Sequence, residues 1–320
     1  MAEALPLTQS RGDVCNGVTR AKASRLVISL PCGLVACFNR AVPPELPPDP
    51  ERLDSYLICA TPRTGSSLLC GLLDSTGVAG HPESWFRRQD EQEFAGRWGI
   101  ADPSNGTFGY AGYFQSAVAA GSTANGVFAA RIMWGTMDEV TAHLAPVYPG
   151  HAGSAAGLLS AAFGRTRFVY LRRGDVVAQA VSLLRAEQTG VWFETVDERQ
   201  EPTAEPGFDF GQARDLVRQI ENENAAWEEW FTAEAIQPYR VFYEELDDDP
   251  VGIASGVLDF LGLDLPAGRE ITVRHKRLAD ELNARWVESY RLHEARERQG
   301  RPLSASIGVS ELFSHSSSLK

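Results

Sequence analysis

Apolar positions along this chain follow two periods. Tyr56, Leu57, Ile58, Cys59 and Ala60 form a continuous β-rich run that Thr61 and Pro62 end, and Leu68, Leu69, Leu72 and Leu73 then recur at helical spacing. Residues 126–133 and 167–171 are further apolar, β-rich runs, each alternating with a helical pattern. That order predicts βαβ units and therefore an α/β fold with a parallel sheet. Asp175 opens a helix whose apolar stripe is Val176, Val177, Ala180, Val181 and Leu184, with Ala178, Ser182, Arg185 and Thr189 on another face. Ala213, Leu216, Val217, Ile220, Trp227, Trp230 and Phe231 make one long helical stripe that reads as core.

The pattern stops short of both ends. Residues 25–38 are apolar but too short to span a bilayer and are broken by Pro31, and residues 41–50 are a proline-rich linker. Residues 1–52 are therefore expected to be a poorly ordered extension and linker, open to reading as a weak signal-like segment, an interfacial anchor or a stray tail. Residues 53–300 form the domain, and 301–320 a polar tail. A chain of 320 residues with 43% hydrophobic content can bury one large core. The net charge of −12 argues against nucleic acid, so any anion site must be a local basic pocket. Five cysteines without a C-x-x-C pair or metal-ligand spacing favour reduced thiols in a cytoplasmic protein, and the short, proline-broken apolar segment at 25–38 argues against a stable membrane span.

The candidate chemistry begins where the first strand ends. A helix starting near Ser66 points free N–H groups and partial positive charge at the preceding turn. Gly65 lets backbone approach an anion, Arg63 brings forked donors, and Thr64, Ser66 and Ser67 bring hydroxyls. The turn lacks the first Gly and the Lys of a nucleoside triphosphatase P-loop, and it has no Cys placed to act as a phosphatase nucleophile. Arg63, Arg131 and the adjacent Arg172 and Arg173 all fall near predicted strand ends, so cations converge on one crevice. Ser182, off the apolar stripe, can reach a ligand or stay solvated. The basic run Arg274-His275-Lys276-Arg277 opposes the dipole of the helix that follows it, which an anion nearby or a solvated face would explain.

Pro62-Arg63-Thr64-Gly65-Ser66-Ser67 resembles the 5′-phosphosulfate loop of sulfotransferases that use 3′-phosphoadenosine-5′-phosphosulfate (PAPS). With residues 76–86, Arg131-Ile132-Met133-Trp134, Arg172 to Asp175, Gln179 to Ser182, Tyr243-Glu244-Glu245-Leu246 and Phe260 to Leu263, the chain is similar in order and spacing to the bacterial trehalose 2-sulfotransferase family over residues 56–292. The resemblance implies a three-layer, P-loop-like nucleotide-binding α/β fold with a central parallel sheet. It also implies PAPS as donor, a sugar, glycolipid or related hydroxyl acceptor, no metal and a homodimer.

Site residues follow from the same resemblance. Arg63, Thr64, Gly65, Ser66 and Ser67 would cradle the donor, and Arg173 rather than Arg172 would hold its 3′-phosphate together with Ser182. Arg277, in Arg277-Leu278-Ala279-Asp280 where the family has Arg-Gln-Ala-Asp, would add a phosphate contact. Arg63 and Arg131 would steady charge during transfer. The family places its acid two residues after the Pro of the second motif; here Ser84 stands there and Glu83 directly follows Pro82. Glu83 is the first candidate for the base and His81 the second. Trp192, past Gly190 at a helix end, is a candidate to stack on the acceptor. The alternatives are a nucleotide-dependent phosphotransferase and a domain that binds a sulfonucleotide or sugar without turnover.

Overall fold

The computed structural model describes residues 53–197, 200–274 and 280–299. The extension at 1–52, the tail at 301–320 and the candidate Arg277 lie outside the described residues.

Four strands, β1 (Ser55–Ala60), β2 (Phe128–Met133), β3 (Thr166–Arg172) and β4 (Tyr239–Phe242), form an all-parallel sheet in the order β2-β1-β3-β4. β1 is buried along its whole length, which is why it reads as an unbroken apolar run. Its side chains alternate between two cores. Leu57 and Cys59 face α3 (Tyr110–Gly121), α4 (Trp134–Leu144), α5 (Ala155–Phe163) and α7 (Phe210–Ala233). Tyr56, Ile58 and Ala60 face α1 (Ser66–Ser75) and α9 (Pro250–Leu261). Helices on both faces of a parallel sheet make the three layers.

A third cluster lies beside these layers, where α6 (Val176–Thr189) and α10 (Glu281–Arg298) pack with α7 through Val181, Leu184, Ile220, Trp286 and Tyr290. α6 is buried more completely than its apolar stripe suggests, because Gln179 and Ser182 on its other side are also covered. β4 carries no clear sequence signal, since it is four residues long and includes Arg240. Its neighbour β3 pairs with it from Val169 to Arg172.

The chain crosses from β2 on one side of β1 to β3 on the other. The loops leaving β1 and β3 therefore open into a crevice at the carboxyl edge of the sheet. Trp227 of α7 supports the first loop from beneath: it is fully buried, its indole N–H donates to the Ala60 carbonyl at 3.1 Å, and it packs against Trp134, Trp230 and Phe231. Trp227→Ala should cost about 3–5 kcal/mol, a fall in Tm on the order of 10 °C for a domain of this size. Trp230→Ala, at a partly buried position, should cost less than half as much in the same melting experiment.

Candidate active site

The loop after β1 takes a strained path. Arg63 has φ 67, a left-handed conformation that costs a non-glycine residue about 1–3 kcal/mol and persists only where surrounding contacts fix it. Gly65 follows at φ 82 as the N-cap of α1, where an added Cβ would lie 2.8 Å from Cδ2 of Tyr243. No side chain caps α1, so its leading N–H groups and the positive end of its dipole are directed at the crevice. Thr64 departs from expectation. Its hydroxyl donates to the Thr61 carbonyl at 2.9 Å, so it stabilises the loop, and only the backbone of Thr64 is left to meet an anion.

Arg63 reaches across the crevice to α6. Its Nε donates to Ser182 Oγ at 3.0 Å and its Nη1 to the Trp192 carbonyl, which fixes the guanidinium plane. Ser182 keeps its own hydroxyl proton to donate, because it accepts from Arg63. Burial, together with the nearby Arg173, pushes the Arg63 guanidinium down to about 10.

Arg131 gathers the other side of the site. It points to the α1 face of β2, alternate to Ala130 and Ile132, which pack in the opposite core. Nη1 donates to Ser67 Oγ at 2.8 Å and Ser66 Oγ at 3.4 Å, Nε donates to Ser84 Oγ at 2.9 Å, and Nη2 pairs with Glu83 Oε1 at 3.4 Å. One guanidinium thus ties the start of α1 to the segment carrying Glu83. That segment is fixed to the sheet edge by a parallel bridge between Glu83 and Ala130 and by the Arg131 N–H donating to the Glu83 carbonyl at 2.9 Å. Glu83 Oε1 also accepts the Ser84 N–H at 2.8 Å.

The two candidate bases are separated. Glu83 adjoins Arg131 and the cradle, whereas the His81 ring is held by Asp74 at 2.6 Å. Asp74 lies near the far end of α1, eight residues from Ser66, or about 12 Å along the helix. His81 is therefore not brought to the crevice.

The adjacent arginines after β3 diverge as well. Arg172 pairs with Glu228 at 3.6 Å, away from the cradle. Arg173 lies over the Tyr243 ring at 4.4 Å, and its Nε, like that of Arg172, is buried without a hydrogen-bond partner. It also lines a cleft of about 580 Å³ between α6 and α10.

Three further groups are placed here by partners distant in sequence. Glu244 accepts the N–H groups of Gly174 and Asp175 and holds the turn that aims Arg173. Ser84 is a ligand of Arg131 rather than an acid. Trp192 is 41% exposed and shares its backbone with Arg63. Among the described residues no three His, Cys, Asp or Glu side chains are grouped so as to hold a metal ion.

A parallel α/β sheet with an uncapped helix, a strained cation and two further arginines at its carboxyl edge is an arrangement able to hold an oxyanion group. Comparison with known proteins specifies which. The model of the Stf0 sulphotransferase family matches residues 55–293, and this chain belongs to that family. It is 30% identical over 260 residues to a trehalose 2-sulfotransferase of Mycobacterium tuberculosis, covering 75% of this chain and 96% of that one. It is also 30% identical over 274 residues to a trehalose 2-sulfotransferase of Mycolicibacterium smegmatis, covering 78% and 98%. Among solved structures, the sulfotransferase domain of the Synechococcus PCC 7002 olefin synthase aligns with a TM-score of 0.36 at 17% identity, over 80% of this chain and 98% of that domain. The enzyme is thus a transferase of the sulfuryl group, and the phosphotransferase and non-catalytic readings are not favoured.

The Arg63 charge has a thermodynamic signature. Its folded pKa is lower than that of the unfolded chain, so the protonated group opposes folding throughout the neutral range, and the penalty is relieved only as pH climbs above about 10 or when an anion enters. Arg63→Met should therefore melt no lower than the parent without ligand. A rise in Tm with 3′-phosphoadenosine 5′-phosphate (PAP), about 2.7 kcal/mol at 100-fold over Kd and so several degrees by differential scanning fluorimetry, is the expected mark of an anion held by Arg63, and the variant should lack it.

Proposed function

We propose that the enzyme carries the sulfuryl group of PAPS to a hydroxyl of a sugar or glycolipid. The observation behind this reading is the convergence of the uncapped start of α1 with Arg63 and Arg131, with Arg173 close enough to Arg63 for their charges to interact. The first group suits the 5′-phosphosulfate, and Arg173 with the Ser182 hydroxyl suits the 3′-phosphate. The trehalose 2-sulfotransferase relatives support a sugar acceptor. The reading carries with it a cytoplasmic, metal-independent homodimer.

The transfer is an in-line displacement. The acceptor oxygen attacks sulfur, the bond from sulfur to the phosphate-bridging oxygen breaks, and PAP leaves with that oxygen's charge. By analogy with phosphoryl transfer, the protein supplies alignment and charge stabilisation. The helix N–H groups, Arg63 and Arg131 offset charge on the equatorial and leaving oxygens. Glu83 takes the acceptor proton, and Arg131 orients it by holding one carboxylate oxygen. Trp192 offers an exposed ring for the sugar.

Two measurements test the reading. Calorimetry should find PAP bound much more tightly than ATP and without magnesium; preference for ATP would overturn the donor. Arg173→Ala should weaken PAP more than adenosine 5′-phosphosulfate, which lacks the 3′-phosphate, and equal losses would remove Arg173 from that role. For the base, Glu83→Gln should lower kcat by about 10² to 10⁴-fold with PAP affinity near that of the parent. His81→Ala should stay within a few-fold of the parent, and the reverse ranking would move the base to the histidine.

A further inference from the structure

A fully buried amide lies behind the cradle, on a residue with no place in the chemistry above. Gln179, in the second turn of α6, donates from Nε2 to Thr61 Oγ1 at 2.9 Å and to the Pro62 carbonyl at 2.6 Å. The orientation of the amide is dictated, because a carbonyl can only accept and the atom facing Pro62 must be the NH2. Both N–H bonds of the side chain are thus spent on the residues immediately before Arg63. Its carbonyl, Oε1, is buried without a partner, so the amide brings an uncompensated acceptor into the interior.

The grip falls on the strained point of the loop. Arg63 holds φ 67, and a non-glycine residue relaxes from that region unless its neighbours prevent it. Proline at 62 has no N–H, so the carbonyl held by Gln179 is the only backbone hydrogen-bonding group that residue has. The Thr61 hydroxyl is held from a second side by Asn224 Oδ1 at 3.4 Å, and the Ala60 carbonyl by Trp227. Gln179 is the member of this set nearest to Arg63 in sequence and the one that reaches past Thr61. It also lies one helical turn before Ser182, which takes the Nε of Arg63. One helix therefore sets both the backbone conformation of Arg63 and the direction of its side chain.

We infer that Gln179 is a positioning residue whose amide locks the left-handed turn at Arg63 and so aims the guanidinium at the transferred group. The inference rests on the proposed role of Arg63 at the donor phosphosulfate. A misplacement of about 1 Å at a reacting centre can cost on the order of 10²-fold in rate. Because the unpartnered carbonyl offsets the two hydrogen bonds, an apolar side chain of similar volume keeps the fold while releasing the loop.

Gln179→Leu and Gln179→Met should accordingly melt within a few degrees of the parent, while kcat/KM for PAPS falls about 10²-fold. Combining Gln179→Leu with Arg63→Ala should lower activity no further than Arg63→Ala alone, since the first residue acts through the second. Gln179→Glu, which keeps the shape, should retain part of the activity at low pH, where the single O–H of a protonated carboxyl can still donate to the Pro62 carbonyl, and lose it as pH rises, whereas the leucine variant should show no such extra loss with pH. Multiplying losses in the double variant, or parent-like activity of Gln179→Leu beside a crippled Arg63→Ala, would overturn the inference alone. Parent-like PAP affinity and turnover in Arg63→Ala would overturn the reading of the site and this inference with it.

Discussion

The uncapped start of α1 is the feature on which the site depends. A helix that begins without a side-chain cap leaves its first N–H groups without an internal partner, and the start of α1 presents them at the crevice where the proposed reading puts an anion. The groups around it leave these N–H groups uncapped. Gly65 at the cap position has no side chain to offer, and Arg131 donates to the hydroxyls of Ser66 and Ser67, which ties the first turn of α1 to β2. Gly65 admits backbone where a Cβ would strike Tyr243, and Thr64 uses its hydroxyl within the loop. The strain at Arg63 is the counterpart on the other side of the same turn.

Two kinds of sequence information contributed, and they reached different depths. The parallel sheet was legible because β1 and β3 are buried on both faces and so appear as continuous apolar runs, and the long stripe of α7 announced its core face through Trp227 and Phe231. β4 was not legible, because a short strand beside β3 gains its place from pairing and not from its own residues. The cradle could be read from local order alone, since Arg63 to Ser67 are contiguous. The roles of Gln179, Glu244 and Ser84 could not, because each is defined by a partner far away in sequence: Thr61 and Pro62 for Gln179, the turn at Gly174 for Glu244, and Arg131 for Ser84.

The separation of neighbouring residues makes the same point at finer scale. Arg172 and Arg173 are equivalent as letters, but the final pleat of β3 sends the first to Glu228 and the second over Tyr243. Glu83 and His81 are two positions apart, and alternation along an extended segment would place them on one face. The ring of His81 is instead captured by Asp74, while Glu83 is drawn to Arg131. Local pattern selects candidates, and long-range electrostatic partners decide among them.

Cys59 is the penultimate residue of β1, four residues before Arg63, and Cys70 lies in α1 behind the cradle. Both thiols are free and buried, and burial drives their pKa up, to about 12 for Cys70 and well above its ordinary value for Cys59. A thiolate is the reactive form, so burial and the raised pKa slow alkylation at both positions, most of all at the fully buried Cys59. These two sulfurs therefore act as built-in reporters of cooperative opening: a reagent that reaches Cys59 has entered through the parted central strand, and its rate of modification measures how often the floor beneath the anion loop comes apart.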